Sequence, residues 1–215
     1  MNTLFKKMTA VLMIAFMLLF SGCLITKTDE SFADGDCAIT FLDVGNADSS
    51  LIRCGDEYML IDGGNNDDGD WISTFLMERG ISTLKYVVAT HPHEDHIGGL
   101  DDVIYNIDVQ MLLIPQCEHE GQDAQSMMQT VNAKEVYTEY AQVGDKYTLG
   151  DGSFEIIGPV NITGNMNGNS IVLRYDYQGV SALFTGDAER KEEQAMLDRG
   201  LISDIDILKV GHHGS

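Results

Sequence analysis

Two kinds of hydrophobic pattern alternate along residues 37–215 of the chain. Short apolar runs, many of them bounded by Gly, Asp or Asn, predict β-strands. In order, these strands are CAITFLDVG, SSLIRCG, EYMLIDGG, LKYVVATH, VQMLLIPQ, EVYTEY, KYTLG, SFEIIGP, SIVLRYDYQG, VSALFTGD and IDILKVG. Apolar residues spaced three or four positions apart predict amphipathic helices at DWISTFLMERG, GGLDDVIYNI, GQDAQSMMQTVNAK and AERKEEQAMLDRG. Strands that alternate with helices predict an α/β (or α+β) domain, in which helices cover a mixed sheet.

The first 22 residues follow another pattern, that of an export signal. Lys6 and Lys7 precede the apolar run MTAVLMIAFMLLF, which is shorter than the roughly 20 residues of a membrane-spanning helix. The following LFSGC resembles a bacterial lipobox. This resemblance implies that the chain is cleaved before Cys23 and carries a lipid on the sulfur of that residue. The lipid would attach the protein to the outer face of the cytoplasmic membrane. An uncleaved anchor and plain secretion are the alternatives. Residues 23–36 are polar and aperiodic, and we interpret them as a tether.

Composition narrows the class of protein. A chain of 215 residues with 44% hydrophobic residues is long enough for one domain with a substantial core. The formal net charge of −21 repels phosphate backbones, which argues against binding of nucleic acid through a broad basic surface. A nucleic-acid substrate is still compatible with this charge, because bound cations reverse the local field.

Cysteines are too few for a disulfide scaffold, at 4 of 215 residues. Cys37, Cys54 and Cys117 remain after the predicted cleavage. They allow either one disulfide and one thiol or three buried thiols. Their spacing does not indicate a thiolate metal site, and we interpret them as small buried hydrophobic residues.

Five of the predicted apolar strands end in acidic residues or histidines. In open α/β sheets, ligands bind beyond the strand ends, where loops carry functional groups on a rigid scaffold. Packing alone does not account for so many ionisable side chains at equivalent places. The residues concerned are Asp43, Asp62, His91, Asp187 and the pair His212 and His213.

The densest group is the segment HPHEDH, which directly follows a predicted buried strand. His91 and His93 lie two positions apart and project to the same side of an extended segment, where their nitrogens suit Zn²⁺ or a similar ion. Asp95 and His96 follow too closely to reach the same ion, so the spacing predicts a second ion beside the first. Asp187 is the candidate carboxylate between them. Water held by two such ions is a nucleophile at neutral pH.

The motif H-x-H-x-D-H is preceded along the chain by LDVG and LIDGG, and it is followed by FTGD and LKVGHHGS. This set resembles the metallo-β-lactamase superfamily, and more closely its ComEC-like branch of extracellular metal hydrolases, which includes the choline-phosphate esterases. The resemblance covers residues 38–215. It implies a four-layer αββα sandwich with a site for two metal ions at one edge, between the sheets.

The resemblance also implies a role for each matching residue. The ions would be two divalent cations, zinc or alternatively manganese. Asp95, Asp187 and His212 would be catalytic, and His213 would contact the substrate or transfer a proton unless it replaces His212 as ligand. The implied ligands are His91 and His93 for the first ion, Asp95, His96 and His212 for the second, and Asp187 as the bridge.

Residues outside this ligand set have supporting roles in the resembled family. Asp43 and Asp62 would orient the loops and the metal-bound histidines. Asn169 and Ser170, in GNSIVL, would face the substrate pocket.

Three departures from the wider family bear on the activity. Many lactamases and thioester hydrolases have a further histidine between the two halves, whereas this chain has only His119 there, in surroundings that do not match. Asn46 and Ala47 replace the usual glutamine and glycine. Related domains continue beyond HHGS, so the sequence resembles a fragment, for which the second sheet is expected to be incomplete.

A carboxylate-rich, open cluster favours a catalytic over a structural metal site. Two ions favour phosphoester hydrolysis, since both the attacking and the leaving oxygen are stabilised. We therefore expect a phosphodiesterase, a nuclease-like enzyme or another phosphoester hydrolase that acts outside the cell on a small molecule, a wall polymer or a nucleic acid. The alternatives are hydrolysis of lactam, lactone or thioester bonds, and a surface binding protein without turnover.

Overall fold

The computed structural model describes residues 37–117 and 121–214. The predicted signal peptide, the tether, the lipidation site at Cys23 and the loop residue His119 lie outside these ranges. Within them, no helix combines the length and the apolar character that a membrane crossing requires.

The strands form two sheets, and each strand predicted from the sequence is present. The first sheet has the order β1-β2-β3-β4-β5-β6, with antiparallel pairing from β1 to β3 and parallel pairing from β3 to β6. Its strands are Cys37–Phe41, Ser50–Cys54, Glu57–Ile61, Thr83–Val88, Asp108–Ile114 and Tyr137–Tyr140. The second sheet has the order β11-β10-β9-β8-β7 and is antiparallel except for the pair β10 and β11. Its strands, β7 to β11, are Lys146–Leu149, Gly152–Gly158, Val172–Tyr177, Val180–Phe184 and Ile207–Lys209.

The predicted helices are present, with one difference beside the histidine motif. There, a short additional helix, α2, begins directly after His93 and precedes the predicted helix, which is α3. Asp95 and His96 are therefore carried on a short helix rather than on an extended loop. The helices, α1 to α5, are Gly69–Glu78, Glu94–Ile97, Leu100–Asn106, Gln122–Ala133 and Arg190–Asp198.

Neighbouring residues of the first sheet pack into different layers. Leu51 belongs to a buried cluster with Ile72 of α1, whereas Ile52 belongs to a cluster with Phe154 of β8. This is the two-residue alternation of a strand whose faces are both buried. One face of the first sheet therefore packs on helices, and the other packs on the second sheet.

The outer face of the second sheet is covered in turn by a helix. Leu183 of β10 packs with Met196 of α5, while its neighbour Phe184 faces the cluster between the sheets. The layers thus follow the order helix, sheet, sheet, helix, which confirms the predicted αββα sandwich. The expectation of an incomplete second sheet stays a prediction.

Two of the cysteines form a disulfide, which resolves the alternatives that the sequence left open. Cys37 of β1 and Cys54 of β2 are opposite each other in the antiparallel register, and their Cα atoms lie 4.1 Å apart. The interpretation of all three cysteines as simple buried thiols is therefore wrong for this pair. Cys117 lies outside the disulfide.

Replacement of both Cys37 and Cys54 by alanine is expected to lower the free energy of unfolding by about 3 kcal/mol, because the bond closes a loop across 17 positions of sequence. Urea denaturation followed by circular dichroism measures the difference. A reducing agent should lower the midpoint of the wild-type protein and leave that of the double variant unchanged. An equal midpoint for the reduced and oxidised wild-type protein would contradict this expectation.

Candidate metal centre

The histidine and aspartate side chains singled out from the sequence come together mainly because parallel strands end at the same edge of their sheets. Asp62 follows β3 and His91 lies three residues after β4, its parallel neighbour. In the second sheet, Asp187 follows β10 and His213 follows β11, and these two strands are parallel neighbours. The two sheets pack face to face, so these loops meet at one rim of the sandwich.

One group of candidate ligands consists of His91, His93 and Asp187, whose donor atoms lie within 4.8 Å of one another. His91 Nε2 is 3.0 Å from His93 Nδ1 and 3.8 Å from Asp187 Oδ2. His91 is completely buried and Asp187 is nearly so. This is the group that the sequence assigns to the first ion.

The second group consists of His96, Asp187, His213 and Asp48. His96 Nε2 is 3.2 Å from Asp187 Oδ1, and His213 Nε2 is 3.8 Å from Asp187 Oδ2. Asp187 therefore belongs to both groups, with one oxygen towards His96 and the other towards His91 and His213. This placement fits a carboxylate that is shared by two ions.

Two buried polar atoms in the centre lack hydrogen-bond partners within the described part of the chain. They are Nε2 of His96 and Oδ1 of Asp187, which lie close together but without hydrogen-bond geometry. Unpaired buried polar atoms are costly and uncommon in a stable fold. Imidazole and carboxylate lone pairs that face one space are the donor set of a divalent metal site, so the residues present fit the metal ions that the sequence predicts.

Asp62 is fully buried behind the cluster and contacts His96 on the side away from Asp187. Its Oδ2 lies 2.8 Å from His96 Nδ1, and its Oδ1 accepts a hydrogen bond of 2.8 Å from the backbone N–H of Thr90. A proton on His96 Nδ1 leaves Nε2 free to coordinate an ion. This contact matches the orienting role that the sequence assigns to Asp62.

Thr90, which the sequence analysis did not single out, orients His91 in the same way as Asp62 orients His96. Its hydroxyl donates to Asp62 Oδ2 at 2.8 Å, so its oxygen is left to accept from His91 Nδ1 at 3.2 Å. His91 then presents Nε2 to the site as well. A small polar residue between the apolar strand and His91 was the available signal.

The remaining predicted residues differ in how close they lie to the cluster. Ser170 is buried, and its hydroxyl accepts a hydrogen bond of 3.1 Å from the backbone N–H of Asp187. Asn169 makes two hydrogen bonds of 2.7 Å to the backbone of Thr163 and lines a neighbouring cavity. Asp43 is exposed, and in the described structure it makes no hydrogen bond to the cluster.

Asp95 and His212 lie beside the second group rather than inside it. Asp95 Oδ2 is 3.1 Å from His213 Nε2, and its side chain is 31% exposed. The side chain of His212 is 49% exposed, with Nε2 3.9 Å from Asp187 Oδ2, whereas that of His213 is only 12% exposed. The sequence favoured His212, but the structure brings His213 into the cluster. It also brings in Asp48, an acid that the sequence analysis did not consider.

Burial and neighbouring charges shift the histidines in opposite directions. Burial, reinforced by the positive charge of His96, lowers the pKa of His91 to about 2. Burial also acts to lower the pKa of His96, but the carboxylates of Asp62 and Asp187 outweigh it and raise this pKa to about 10. The same contact with His96 holds the pKa of Asp187 below its usual range, against the effect of burial. Without metal at neutral pH, His91 is therefore neutral, and His96 is positively charged with a proton on each ring nitrogen.

Metal binding at His96 is therefore expected to release a proton at pH 7. The raised pKa means that this proton occupies the ligand nitrogen at any pH below about 10, so affinity should increase with pH, by about tenfold per unit. Calorimetric titration of the metal-free protein in two buffers of different ionisation enthalpy measures the release. Identical heats in both buffers would contradict it.

Comparison with known families identifies the superfamily of the chain. A model described as the metallo-beta-lactamase superfamily matches residues 42–215. The chain belongs to this superfamily. The predicted resemblance is therefore confirmed, and with it the fold class.

Curated relatives of this superfamily member are competence-type proteins, as the sequence motifs predict. ComE operon protein 3 of Bacillus subtilis is 31% identical over 142 residues, which cover 66% of this chain and 18% of that protein. Recombination protein 2 of Haemophilus influenzae is 29% identical over 180 residues, which cover 81% of this chain and 21% of that protein. The chain thus spans about a fifth of the length of these relatives.

Solved structures of the superfamily show the same fold. A metallo-beta-lactamase from Cronobacter sakazakii aligns with a TM-score of 0.57 and 13% sequence identity, over 79% of this chain and 73% of that one. At this identity the likeness establishes the sandwich and not the substrate. The superfamily is generally hydrolytic and metal-dependent, and the clusters of His and Asp side chains lie where such a site is expected.

Proposed function

We propose that the chain is a hydrolase that depends on two metal ions and acts on phosphoesters. The observation that carries this proposal is Asp187, a buried carboxylate common to two groups of candidate ligands, with one oxygen that has no hydrogen-bond partner in the described part of the chain. When bound, two such ions supply a hydroxide at neutral pH and stabilise charge on the attacked centre. Zinc suits this mixture of imidazole and carboxylate donors, and manganese is the alternative.

The chain's own residues would bind and orient this pair of ions. His91 and His93 would hold the first ion and His96, with Asp95, the second, while Asp187 bridges them. A histidine of the pair at 212 and 213 would complete the second site. Asp62 and Thr90 keep the coordinating nitrogens of His91 and His96 directed at the site.

A cavity of about 1100 Å³ next to His93 supports a small phosphoester rather than a long nucleic acid. Its described lining includes the apolar surfaces of Tyr140, Ile162 and Met166, and the described lining contains neither Lys nor Arg. A polyanionic strand would meet no positive side chain there, and the net charge of the chain is −21. An uncharged alcohol portion with an apolar face fits this lining better.

The proposal is tested by metal content and by two chromogenic substrates. Mass spectrometry of the purified protein should find about two Zn or Mn ions per chain, and bis-p-nitrophenyl phosphate should be hydrolysed while nitrocefin is not. Hydrolysis of nitrocefin alone would instead support the lactam, lactone or thioester alternative. A folded protein that binds no metal would support a surface binding protein without turnover.

We also propose that the chain acts outside the cytoplasm, attached by a lipid on Cys23. The support is the sequence of residues 1–23 alone. Metabolic labelling with a radioactive fatty acid should mark the wild-type protein. Cys23→Ala should remove the label, and an unlabelled wild-type protein would overturn the anchor.

A further inference from the structure

The second group of candidate ligands contains two carboxylate–histidine pairs of the same form. In the first, Asp62 Oδ2 faces His96 Nδ1, and His96 Nε2 faces Asp187. In the other, Asp48 Oδ1 lies 3.2 Å from His213 Nδ1, and His213 Nε2 lies 3.8 Å from Asp187 Oδ2. Each histidine therefore has an acid on its Nδ1 side and places its Nε2 within 4 Å of Asp187, although the Nε2 of His213 lies closer to Asp95 Oδ2, at 3.1 Å.

We propose that Asp48 is a positioning residue, which makes His213 rather than His212 the histidine of the second ion, and that Lys209 holds Asp48 in place. The proposal rests on the two-ion site proposed above. A hydrogen bond from Nδ1–H to a carboxylate fixes both the tautomer and the plane of an imidazole ring, and it makes Nε2 a better donor to a metal.

Both the backbone and the side chain of Asp48 are fixed by contacts with neighbouring segments. Its side chain is 8% exposed, its backbone N–H donates to the carbonyl of Asp95 at 3.0 Å, and its own carbonyl accepts from Gly64 at 2.9 Å. Lys209, at the end of β11, places Nζ 2.6 Å from Asp48 Oδ2. The carboxylate therefore has a single orientation, with Oδ1 turned to His213.

The same contacts argue against Asp48 as a metal ligand. Both of its oxygens have partners, an ammonium group on one and an imidazole nitrogen on the other. Coordination would add an ion to an oxygen that already has a partner. Asp187 is the opposite case, because its Oδ1 is buried and without a hydrogen-bond partner in the described part of the chain.

His212 lacks this support. Its side chain is half exposed, and among the described residues no acid or carbonyl faces its Nδ1 within hydrogen-bond distance. An imidazole without an orienting partner loses more rotational freedom on binding an ion. The order of the two histidines in the sequence favoured His212, whereas the placement of Asp48 favours His213.

Titration of the full, metal-depleted chain with Co²⁺ tests this proposal without any assay of hydrolysis. Visible absorption reports the coordination of each ion, and mass spectrometry counts the bound ions. We expect two ions in the wild type and in His212→Ala, and one in His213→Ala. Asp48→Ala should weaken the second ion by roughly 10–100-fold and leave the first unchanged. Lys209→Met should weaken it in the same direction.

The conservative variant Asp48→Asn separates positioning from coordination. Its single side-chain oxygen can accept from Lys209 or from His213 but cannot replace both carboxylate oxygens, so the second ion should bind more weakly than in the wild type, and the absorption bands at saturating Co²⁺ should equal those of the wild type. Asp56→Asn, in the exposed acid of the turn between β2 and β3, is the matched control and should bind as the wild type does. Circular dichroism confirms that each variant is folded.

Three results would overturn the proposal. One is loss of the second ion in His212→Ala but not in His213→Ala. Another is unchanged affinity in Asp48→Ala, and the third is a shifted absorption band in Asp48→Asn, which would make Asp48 a ligand. A wild-type protein that binds fewer than two ions would overturn the proposed two-ion function itself, whereas two bound ions without phosphoester hydrolysis would overturn only the proposed reaction.

Discussion

Replacement of Asp187 by alanine is expected to abolish hydrolysis and to release both metal ions. Asp187 is the one described residue present in both groups of candidate ligands, so its loss removes a ligand from each ion at once. Loss of an outer partner of a metal ligand costs roughly 10–100-fold in affinity or activity, and loss of a shared ligand should cost more. Hydrolysis of bis-p-nitrophenyl phosphate and metal content by mass spectrometry measure the two effects.

Asp187 is buried, so the folded state of this variant must be verified by circular dichroism. Asp187→Asn is the second variant, because it keeps the shape of the side chain and removes only the charge. Asp204→Ala, in an exposed loop, is the control and should retain wild-type activity and two ions. Wild-type rates in a folded Asp187→Ala protein would refute the assignment of this site.

Replacement of Asp62 by asparagine is expected to weaken the ion bound at His96 by roughly 10–100-fold, with the fold intact. The carboxylate accepts from His96 Nδ1, but the amide nitrogen of asparagine can only donate. If the amide oxygen remains on the backbone N–H of Thr90, the amide nitrogen faces His96 Nδ1 and moves the ring proton to Nε2. The nitrogen that should coordinate the ion is then blocked.

Asp62→Ala should in addition destabilise the fold by roughly 3–5 kcal/mol, because it removes one partner of a buried ion pair. Chemical denaturation and Co²⁺ titration distinguish the two variants. The comparison with Asp43→Asn is informative, since the sequence motifs assign the same orienting role to both acids and the structure connects only Asp62 to the histidines. Equal loss of metal affinity in Asp43→Asn and Asp62→Asn would show that the contact with His96 is not the cause.

Local patterns were sufficient to predict the strands, most of the helices and most of the residues of the candidate site. The runs SSLIRCG and EYMLIDGG, joined at GDE, predicted a hairpin, which the antiparallel pairing of β2 and β3 confirms. The register places Cys54 opposite Glu57, so Gly55 and Asp56 form the turn. Acids and histidines at strand ends predicted a cluster, because neighbouring strands end at a common edge. The motif around His91 also identified the superfamily, which the family comparison confirms.

Contacts between residues that are distant in the sequence could not be predicted from local patterns. The disulfide between Cys37 and Cys54 depends on the register of β1 against β2, which is settled by the pairing of whole strands. Thr90 carried no signal beyond its position, since its role depends on the closeness of Asp62, 28 residues away. Asp48 was overlooked because its partner His213 lies 165 positions further along the chain.

The sequence by itself determined a mixed α/β domain and the kinds of side chain at the rim, because periodicity and strand-end chemistry are local properties. Its motifs indicated the family, and the resemblance to that family implied the layers of the sandwich. Only the tertiary structure shows which of two adjacent histidines lies in the cluster and which of two acids contacts a histidine. The physical reason is that an imidazole becomes a defined ligand through what stands behind its other nitrogen. For His213 and His96 that partner is an aspartate brought near by folding.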